Sequence, residues 1–185
     1  MNRLCQEASA AIENGCAILV LSDRAVGPNH VPIPSLLATA GIHHHLIREG
    51  TRNRVGLVIE SGEPREVAHF ALLLGYGAGA INPYLAYETL EDMVRQGIFD
   101  NGMSIEEVKE NYGKAINKGL LKIASKMGIS TLQSYRGAQI FEAVGLNQTL
   151  VDEYFTWTPS RIGGIGIDII EEESKNRHQV GFPSM

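Results

Sequence analysis

Two short runs of consecutive apolar residues constrain the fold of this chain most strongly. Residues 16–22 read CAILVLS and residues 55–60 read VGLVIE, and each run has the length and the β-branched residues of a strand. A strand that is apolar on both faces is typical of a parallel sheet whose two faces are both covered. Since parallel strands need long crossovers, the sequence predicts strands that alternate with helices.

Segments with helical spacing separate and follow these two strands. The predicted helices cover residues 4–14, 35–48, 65–74, 87–96, 105–126, 138–144 and 168–175, with a short helical turn at 150–155. Ser104 and Glu107 form a capping-box pattern at the start of the fifth helix, and we expect Gly113 and Gly119 to break it. Two further strands are predicted at residues 80–82 and 129–134.

Strand and helix therefore alternate about four times. This pattern predicts an α/β fold of about four βα units with parallel strands, arranged either as half of a barrel or as a small open sheet covered by helices. We expect residues 161–166 to form a glycine-rich connector and residues 178–185 to form an irregular end.

Charge and composition exclude several classes of partner. The chain has 16 Lys and Arg against 21 Asp and Glu, a net charge of −5, and no run of basic residues. We therefore expect neither a nucleic acid nor a membrane as partner, because both require a basic or a long apolar surface. No secretory leader is recognisable, which predicts a cytoplasmic protein. Cys5 and Cys16 are expected to be small buried hydrophobes.

Three consecutive histidines, His43, His44 and His45, stand inside the predicted helix at residues 35–48. Neighbouring residues on a helix point about 100° apart, so these side chains fan out instead of converging on one metal ion. We expect a structural role, with one imidazole buried and hydrogen-bonded. The glycine-rich residues 75–79 precede a strand, whereas a dinucleotide-binding loop follows one, so they predict a helix end and a tight turn.

A few polar residues stand where the ends of parallel strands bring ligands together. Asp23 and Glu60 end the first two strands, and Arg24 follows Asp23. Arg136 lies between a predicted strand and a helix, and Arg161 precedes Gly163 and Gly164 in the glycine-rich connector. Each could bind a ligand or contact another domain, but loop-anchoring hydrogen bonds and ion pairs are the simpler interpretation. No nucleophile paired with a base is recognisable, so we predict no catalytic, cofactor-binding or metal-binding residue.

Three long segments resemble the large subunit of glutamate synthase. They read LSDRAVGPNHVPIPSLLATAGIHHHLIREGTRNRVGLVIESGEPREVAHFALLLGYGAGAINPYLAYETL, GLLKIASKMGISTLQSYRGAQIFEAVGL and SRIGGIGIDIIEEE. The resemblance extends from about Leu19 to Glu173, and it is to the later part of the family's central domain, just before the FMN-binding barrel. It implies that residues 1–176 belong to this domain and that residues 177–185 form a tail. Ala25, where the family often has glycine, and Trp157, where a small residue is usual, depart from the family pattern.

The resemblance implies a non-catalytic connecting domain. In this family the central domain joins a glutaminase domain to the FMN-binding domain and helps to wall a tunnel for ammonia. The partners expected from the resemblance are therefore these two domains. FMN and the 3Fe-4S cluster are expected in other parts of the parent enzyme, and no cofactor is expected in this chain. The location would be the cytoplasm, or the plastid stroma in a plant or an alga.

Two alternatives to this role remain. The chain could be a stand-alone module of the same fold that binds a small anion at one edge formed by Asp23, Glu60 and Arg136. It could also be an independent metal-dependent enzyme that uses the histidine cluster. In addition, a chain that lacks earlier strands would leave its first strand unpaired, which predicts a homodimer or aggregation.

Overall fold

The computed structural model describes residues 1–99 and 102–183. In chain order the elements are α1 (Asn2–Glu13), β1 (Ile18–Ser22), α2 (Ser35–Arg48), a 3₁₀ turn (Arg52–Arg54), β2 (Gly56–Glu60), α3 (Val67–Gly75), β3 (Ala80–Asn82), α4 (Tyr84–Arg95), α5 (Ile105–Lys126), α6 (Leu132–Tyr135), β4 (Ala143–Leu146), α7 (Gln148–Tyr154), β5 (Ser160–Ile165) and α8 (Ile167–Gly181).

The first three strands form an open parallel sheet in the order β1-β2-β3. The strands run in sequence order, so the right-handed crossovers through α2 and α3 place both helices on the same face. Helix α1 joins them there, since Ile12 of α1 and Ile42 of α2 share a buried cluster with Leu57 of β2. The α/β class and the small open sheet predicted from the sequence are confirmed.

The two faces of this sheet differ in what covers them. On one face Leu19, Leu57 and Ile59 are buried against the helices. On the other face Ile18 and Val20 are 62% and 57% exposed. The expectation that β1 is covered on both faces is therefore wrong for this chain, because all three helices that cover the sheet lie on one side of it.

Helix α5 is continuous, and the predicted break at its glycines does not occur. Ser104 and Glu107 form the predicted capping box, in which each side chain bonds to the backbone amide of the other residue. Gly119 has a packing role, because a Cβ atom there would collide with the side chain of Val67 on α3. The absence of a side chain lets α3 and α5 approach closely, which offsets the low helix propensity of glycine.

Most of residues 129–166 fold differently from the sequence-based prediction, although the helical turn predicted at 150–155 is confirmed as α7. The predicted strand at 129–134 is wrong, because the Thr131 side chain accepts a hydrogen bond from the Ser134 amide and caps the short helix α6. The predicted helix at 138–144 is also wrong: Gly137 and Gln139 have positive φ values of 68° and 54°, which a helix does not allow, and β4 begins at Ala143.

The glycine-rich stretch at 161–166 is strand β5, paired in parallel with β4, and is not a connector. A Cβ atom on Gly164 would collide with the backbone of Gly145 in β4, so glycine permits the close pairing of these two strands. Helix α7 packs against α2 in a second buried cluster that includes Leu37, Leu150 and Val151.

The end of the chain is more regular than expected. Helix α8 continues to Gly181, so the irregular end predicted from residue 178 is wrong for residues 178–181, and the predicted boundary between residues 176 and 177 falls inside this helix. Residues 184 and 185 lie outside the described residues. Within the described ranges, no helix is both long and apolar enough to cross a membrane.

The two cysteines differ in burial. Cys5 is half-buried on α1, where burial raises the pKa of its thiol. Cys16 is exposed, so the expectation of a buried hydrophobe is wrong at that position. Cys16 lies two residues before the first residue of β1.

Candidate functional site

A cluster of polar side chains lies at the carboxyl ends of the three parallel strands. The last residues of the strands, Ser22, Glu60 and Asn82, stand side by side in the sheet register. In open α/β sheets this edge is the usual place for ligands, because the loops that follow the strands converge there. We call this group the carboxyl-edge cluster; its members are Ser22, Asp23, Arg24, Glu60, Ser61, Asn82, Tyr84 and Glu88.

Glu60 is the centre of the carboxyl-edge cluster. Its Oε2 accepts a hydrogen bond from Ser22 Oγ at 2.6 Å, and its Oε1 accepts from Arg24 Nε at 2.9 Å and from Asn82 Nδ2 at 3.2 Å. These donors lower the pKa of the Glu60 carboxyl, with Ser22 contributing most and Arg24 next. Glu60 is therefore an ionised acceptor whose oxygens are occupied, and it is not a proton donor at neutral pH.

Arg24 connects the strand ends to helix α4. Its Nη1 donates to Glu88 Oε1 at 3.1 Å, and its guanidinium carbon lies 4.1 Å from the ring centroid of Tyr84. Its other ion-pair partner is Glu60, so both ion-pair partners of Arg24 are carboxylates of its own chain. The guanidinium is thus held by protein groups and is not available as a ligand for an incoming anion.

Asp23 fixes the loop that follows β2. Its carboxylate accepts from Ser61 Oγ at 2.6 Å and from the Gly62 amide at 3.1 Å. Burial first, and then the nearby Asp23 carboxylate, raise the pKa of Tyr84 to about 12. These contacts agree with the loop-anchoring role that the sequence suggested for Asp23.

The carboxyl-edge cluster can stabilise the fold, but it does not form a recognisable catalytic arrangement. It contains three carboxylates (Asp23, Glu60 and Glu88) and one guanidinium (Arg24), so its local charge is negative. A cleft of about 410 Å³ beside it is lined mainly by apolar residues of β1 and of the loop that follows, including Val20, Leu21 and Val26. The hydroxyls of Ser22 and Ser61 each donate to a carboxylate, but the cluster contains no histidine, lysine or cysteine, so it does not form a Ser–His or Cys–His arrangement for acyl transfer.

Arg136 and Arg161 lie elsewhere. Arg136 follows α6, where the Gly137 amide bonds to the Gly75 carbonyl at the end of α3, the helix that leads into the amino end of β3. Arg161 is on β5, 85% exposed, with its Nε 3.7 Å from Glu142 Oε1. The expectation that Asp23, Glu60 and Arg136 form one edge is therefore wrong, because Arg136 lies at the opposite end of the sheet.

The three histidines diverge as the helical spacing predicts. His45 Nε2 lies 2.8 Å from Ser9 Oγ on α1, whereas His43 Nδ1 accepts from Arg52 Nε at 2.9 Å. Burial first, and then nearby arginines, lower the pKa of His43 to about 3 and that of His44 to about 4. Across residues 1–99 and 102–183, no group of three or more His, Cys, Asp or Glu side chains is placed to hold a metal ion.

Sequence reasoning identified three of the eight members of the carboxyl-edge cluster, Asp23, Arg24 and Glu60, and did not single out Ser61. It missed Ser22 and Asn82, although both are the last residues of predicted strands and so stand beside Glu60 in a parallel sheet. It also missed Tyr84 and Glu88, which lie four residues apart on α4 and so share a face of that helix. The signal for that pair was the helical spacing, but the start of α4 was predicted three residues too late.

Comparison with known proteins identifies relatives of this chain. The sequence model of the family described as glutamate synthase central domain matches residues 1–147. The chain is 51% identical to a glutamate synthase [NADPH] large chain of Bacillus subtilis, over 95% of this chain and 11% of that protein. It is 48% identical to a glutamate synthase [NADH] of Saccharomyces cerevisiae, over 100% of this chain and 9% of that protein.

A third relative carries a different description. The chain is 43% identical to a ferredoxin-dependent glutamate synthase of Pyropia yezoensis, over 98% of this chain and 12% of that protein. The chain thus spans about a tenth of the length of these relatives.

Proposed function

Because the chain belongs to the glutamate synthase central domain family, we propose that it acts as a non-catalytic connecting domain in glutamate biosynthesis and ammonia assimilation. In this role it joins a glutaminase domain to an FMN-binding domain and helps to wall the path by which ammonia passes between them. FMN and a 3Fe-4S cluster would be bound by those other parts of the parent enzyme.

The observation that carries this proposal is the uncovered face of the β1-β2-β3 sheet. Ile18 and Val20 are exposed although they are apolar and lie in a strand, and Ala80 of β3 is exposed on the same side. An exposed apolar face of this kind marks a contact with further polypeptide. In a chain that spans about a tenth of its relatives, the remaining domains of the same enzyme are the simplest partners.

The hydrogen bonds within the carboxyl-edge cluster support the same role. Arg24 donates to Glu60 and to Glu88, and Asp23 accepts from Ser61. These bonds leave no acid or base of the three residues free for a substrate. In a β/α fold that edge would carry the active site of an enzyme. Its use here for bonds between strand ends and helix α4 favours a structural element over a catalytic one.

The relatives also suggest what this domain does not determine. Their names specify NADPH, NADH and ferredoxin, yet all three match this chain over at least 95% of its length. We infer that the electron donor is selected by other parts of the parent enzyme.

The test compares two activities of a complete glutamate synthase that contains this domain. Val20→Asp places a charge on the uncovered face, and Val180→Asp, at an 84% exposed position on α8, is the matched control. We expect Val20→Asp to lower glutamine-dependent glutamate formation more than ammonia-dependent formation, because only the first needs ammonia to travel between domains. The control should leave the ratio of the two activities unchanged.

Two results would refute the proposal. One is glutamate formation or glutamine hydrolysis by the purified 185-residue chain alone, and the other is tight binding of flavin by that chain. An unchanged ratio of the two activities in Val20→Asp would reject the tunnel part of the proposal and leave the family membership intact.

A further inference from the structure

A cleft at the amino ends of β2 and β3 gathers positive charge. It has a volume of about 500 Å³ and lies between α2, the end of α3 and the segments 135–141 and 156–158. We call it the arginine cleft and define it by six of its lining residues, namely His43, His44, Arg48, Tyr135, Arg136 and Trp157. A volume of this size is typical of a site for a small molecule.

The arginines of this cleft lack acidic partners. Among the described residues, no carboxylate oxygen lies within 4.0 Å of a guanidinium nitrogen of Arg48, Arg52 or Arg136. Arg48 makes one long hydrogen bond, 3.4 Å from Nη1 to Thr156 Oγ1. Asp152 is the one carboxylate in the lining, and its side chain accepts from Gln148 Nε2 at 2.7 Å. The cleft is therefore positive in a chain of net charge −5.

Arg52 lies against the wall of the cleft and is fully engaged by neutral groups. It donates to His43 Nδ1, and its two Nη atoms each lie 2.8 Å from a backbone carbonyl, of Val55 and of Gly77. Since His43 Nδ1 accepts this hydrogen bond, the proton of the neutral ring is on Nε2, which is then a free donor. Arg136 is close enough to lower the pKa of both His43 and Arg52.

A buried hydroxyl adds an independent observation. Tyr135 is 4% exposed and lines both the arginine cleft and a second cleft of about 490 Å³ beside α5, and its hydroxyl has no hydrogen-bond partner in the part of the chain that the structure describes. A buried polar group without a partner is unfavourable, and native proteins rarely leave one. An acceptor atom brought to this hydroxyl by a ligand would satisfy it.

Backbone strain is concentrated at the same place. Gln139 and Trp157 are the two non-glycine residues with positive φ in the described ranges, at 54° and 66°, and both line the arginine cleft. Such conformations are unfavourable for residues with a Cβ, and they cluster at ligand sites. Trp157 is 80% exposed, so packing in this chain does not account for its position.

We propose that the arginine cleft binds a small organic oxyanion that carries a phosphate or carboxylate group on a planar ring. Arg48 and Arg136 bind the anionic group, since guanidinium ions match both phosphate and carboxylate geometry. Tyr76, Phe141 and Trp157, which also line the cleft, provide aromatic surface for the ring. This site is at the opposite end of the sheet from the carboxyl-edge cluster and does not depend on the connecting role.

The experiment titrates the purified 185-residue chain with inorganic phosphate, phenyl phosphate and benzoate in an isothermal calorimeter. We expect saturable binding, with phenyl phosphate tighter than inorganic phosphate because the ring contacts the aromatic residues. Benzoate distinguishes a carboxylate ligand from a phosphate ligand. Arg136→Gln should weaken binding by about tenfold or more, and Arg136→Lys, which keeps the charge but not the planar fork, should weaken it less.

Arg3→Gln is the matched control, because Arg3 is an exposed arginine that lines the cleft beside the carboxyl-edge cluster, at the other end of the sheet, and its removal should leave binding unchanged. The proposal is overturned by an absence of saturable binding for all three probes, or by an equal dissociation constant in Arg136→Gln and the unmodified chain. Binding of a hexaglutamate peptide without binding of the three small probes would also overturn it, and would indicate that an acidic protein segment fills the cleft. Thermal unfolding of Arg136→Gln checks that the variant is folded.

Discussion

The two faces of the β1-β2-β3 sheet are built from alternate residues of the same strands, yet they have different surroundings. Leu19 and Leu57 are covered by helices, whereas Ile18 and Val20, their neighbours in β1, are largely exposed. A covered face stabilises this chain by itself. An apolar face that is left open adds little to the stability of this chain, and it would contribute only if further polypeptide covered it.

This difference between the two faces explains why the sequence of β1 predicts a strand that is buried on both sides. Apolar residues stand on both faces, but within the described residues the covering helices lie on only one of them. A run of apolar residues predicts a strand that is covered on both faces, but it does not indicate which segment provides the cover.

The largest effect is expected on the covered face. Leu57→Ala removes a side chain that is 1% exposed, and we expect the free energy of unfolding to fall by about 2–5 kcal/mol because a cavity remains. Val20→Ala, on the open face, should change it by less than about 0.5 kcal/mol. Urea unfolding of both variants measures the difference. Equal losses would show that the open face is covered in the isolated chain, for instance by self-association.

The second sheet offers the same comparison at adjacent residues. A Cβ on Gly164 would collide with the Gly145 backbone, whereas one on Gly163 meets open space. Gly164→Ala should therefore lower the free energy of unfolding by about 1–3 kcal/mol, and Gly163→Ala by far less. Chemical denaturation of the pair is the measurement, and a larger loss for Gly163→Ala would contradict the pairing of β4 and β5.

The helix that covers the sheet makes its stability depend on pH. His43 and His44 on α2 have pKa values of about 3 and about 4, below the ordinary value of 6.5. As the pH falls, the unfolded chain binds protons at these two histidines at a higher pH than the folded chain does. Their contribution to the free energy of unfolding is therefore fully present above about pH 6.5 and is lost as the pH drops toward 4. The steepest expected slope is about 1.4 kcal/mol per pH unit for each histidine.

Unfolding free energies between pH 7 and 4.5 test this dependence. Near the lower end of this range Glu60, Glu91, Glu107 and Glu171, whose pKa values are lowered from 4.5, also begin to lose their contribution to stability, so the slope between pH 7 and about 5.5 reports on the histidines. His43→Gln should reduce the slope, while His30→Gln, at an exposed residue, should not. A flat profile would mean that the two rings are solvated in solution.

The smallest effect concerns the free edge of β1. An unpaired edge strand with apolar side chains favours pairing with a second chain, so we expect weak, concentration-dependent self-association of the isolated chain. Val20→Lys should reduce it, because lysine on an edge opposes strand pairing. Light scattering over a wide concentration range measures the change, and a monomer at every concentration would argue against this prediction.

The first two thirds of the fold could be predicted from the sequence because its elements are long and regularly patterned. Helix α2 was predicted with the bounds that the structure has, and Ser104 marked the start of α5. The helical turn predicted at 150–155 is α7, but α6, β4 and β5 could not be predicted, since they are four to six residues long and depend on local caps and turns. There Gly164 permits strand pairing, although glycine usually indicates a loop.

The candidate sites show a similar division. Asp23 and Glu60 were expected to lie together because parallel strands end at one edge, and their loops do meet through Ser61. The position of Arg136 depends on where α6 docks on α3, which no periodic pattern encodes. The arginine cleft was missed for the same reason, since its walls come from segments that are distant in the sequence.

The most direct test of the connecting role is the accessibility of the open face in two settings. Val20→Cys, combined with Cys5→Ser and Cys16→Ser, provides one labelling site for a maleimide reagent in the isolated chain. We predict that the cysteine at position 20 reacts at least about tenfold more slowly in a complete glutamate synthase with no other accessible thiol, because other domains cover it there. An equal rate in both would contradict the account.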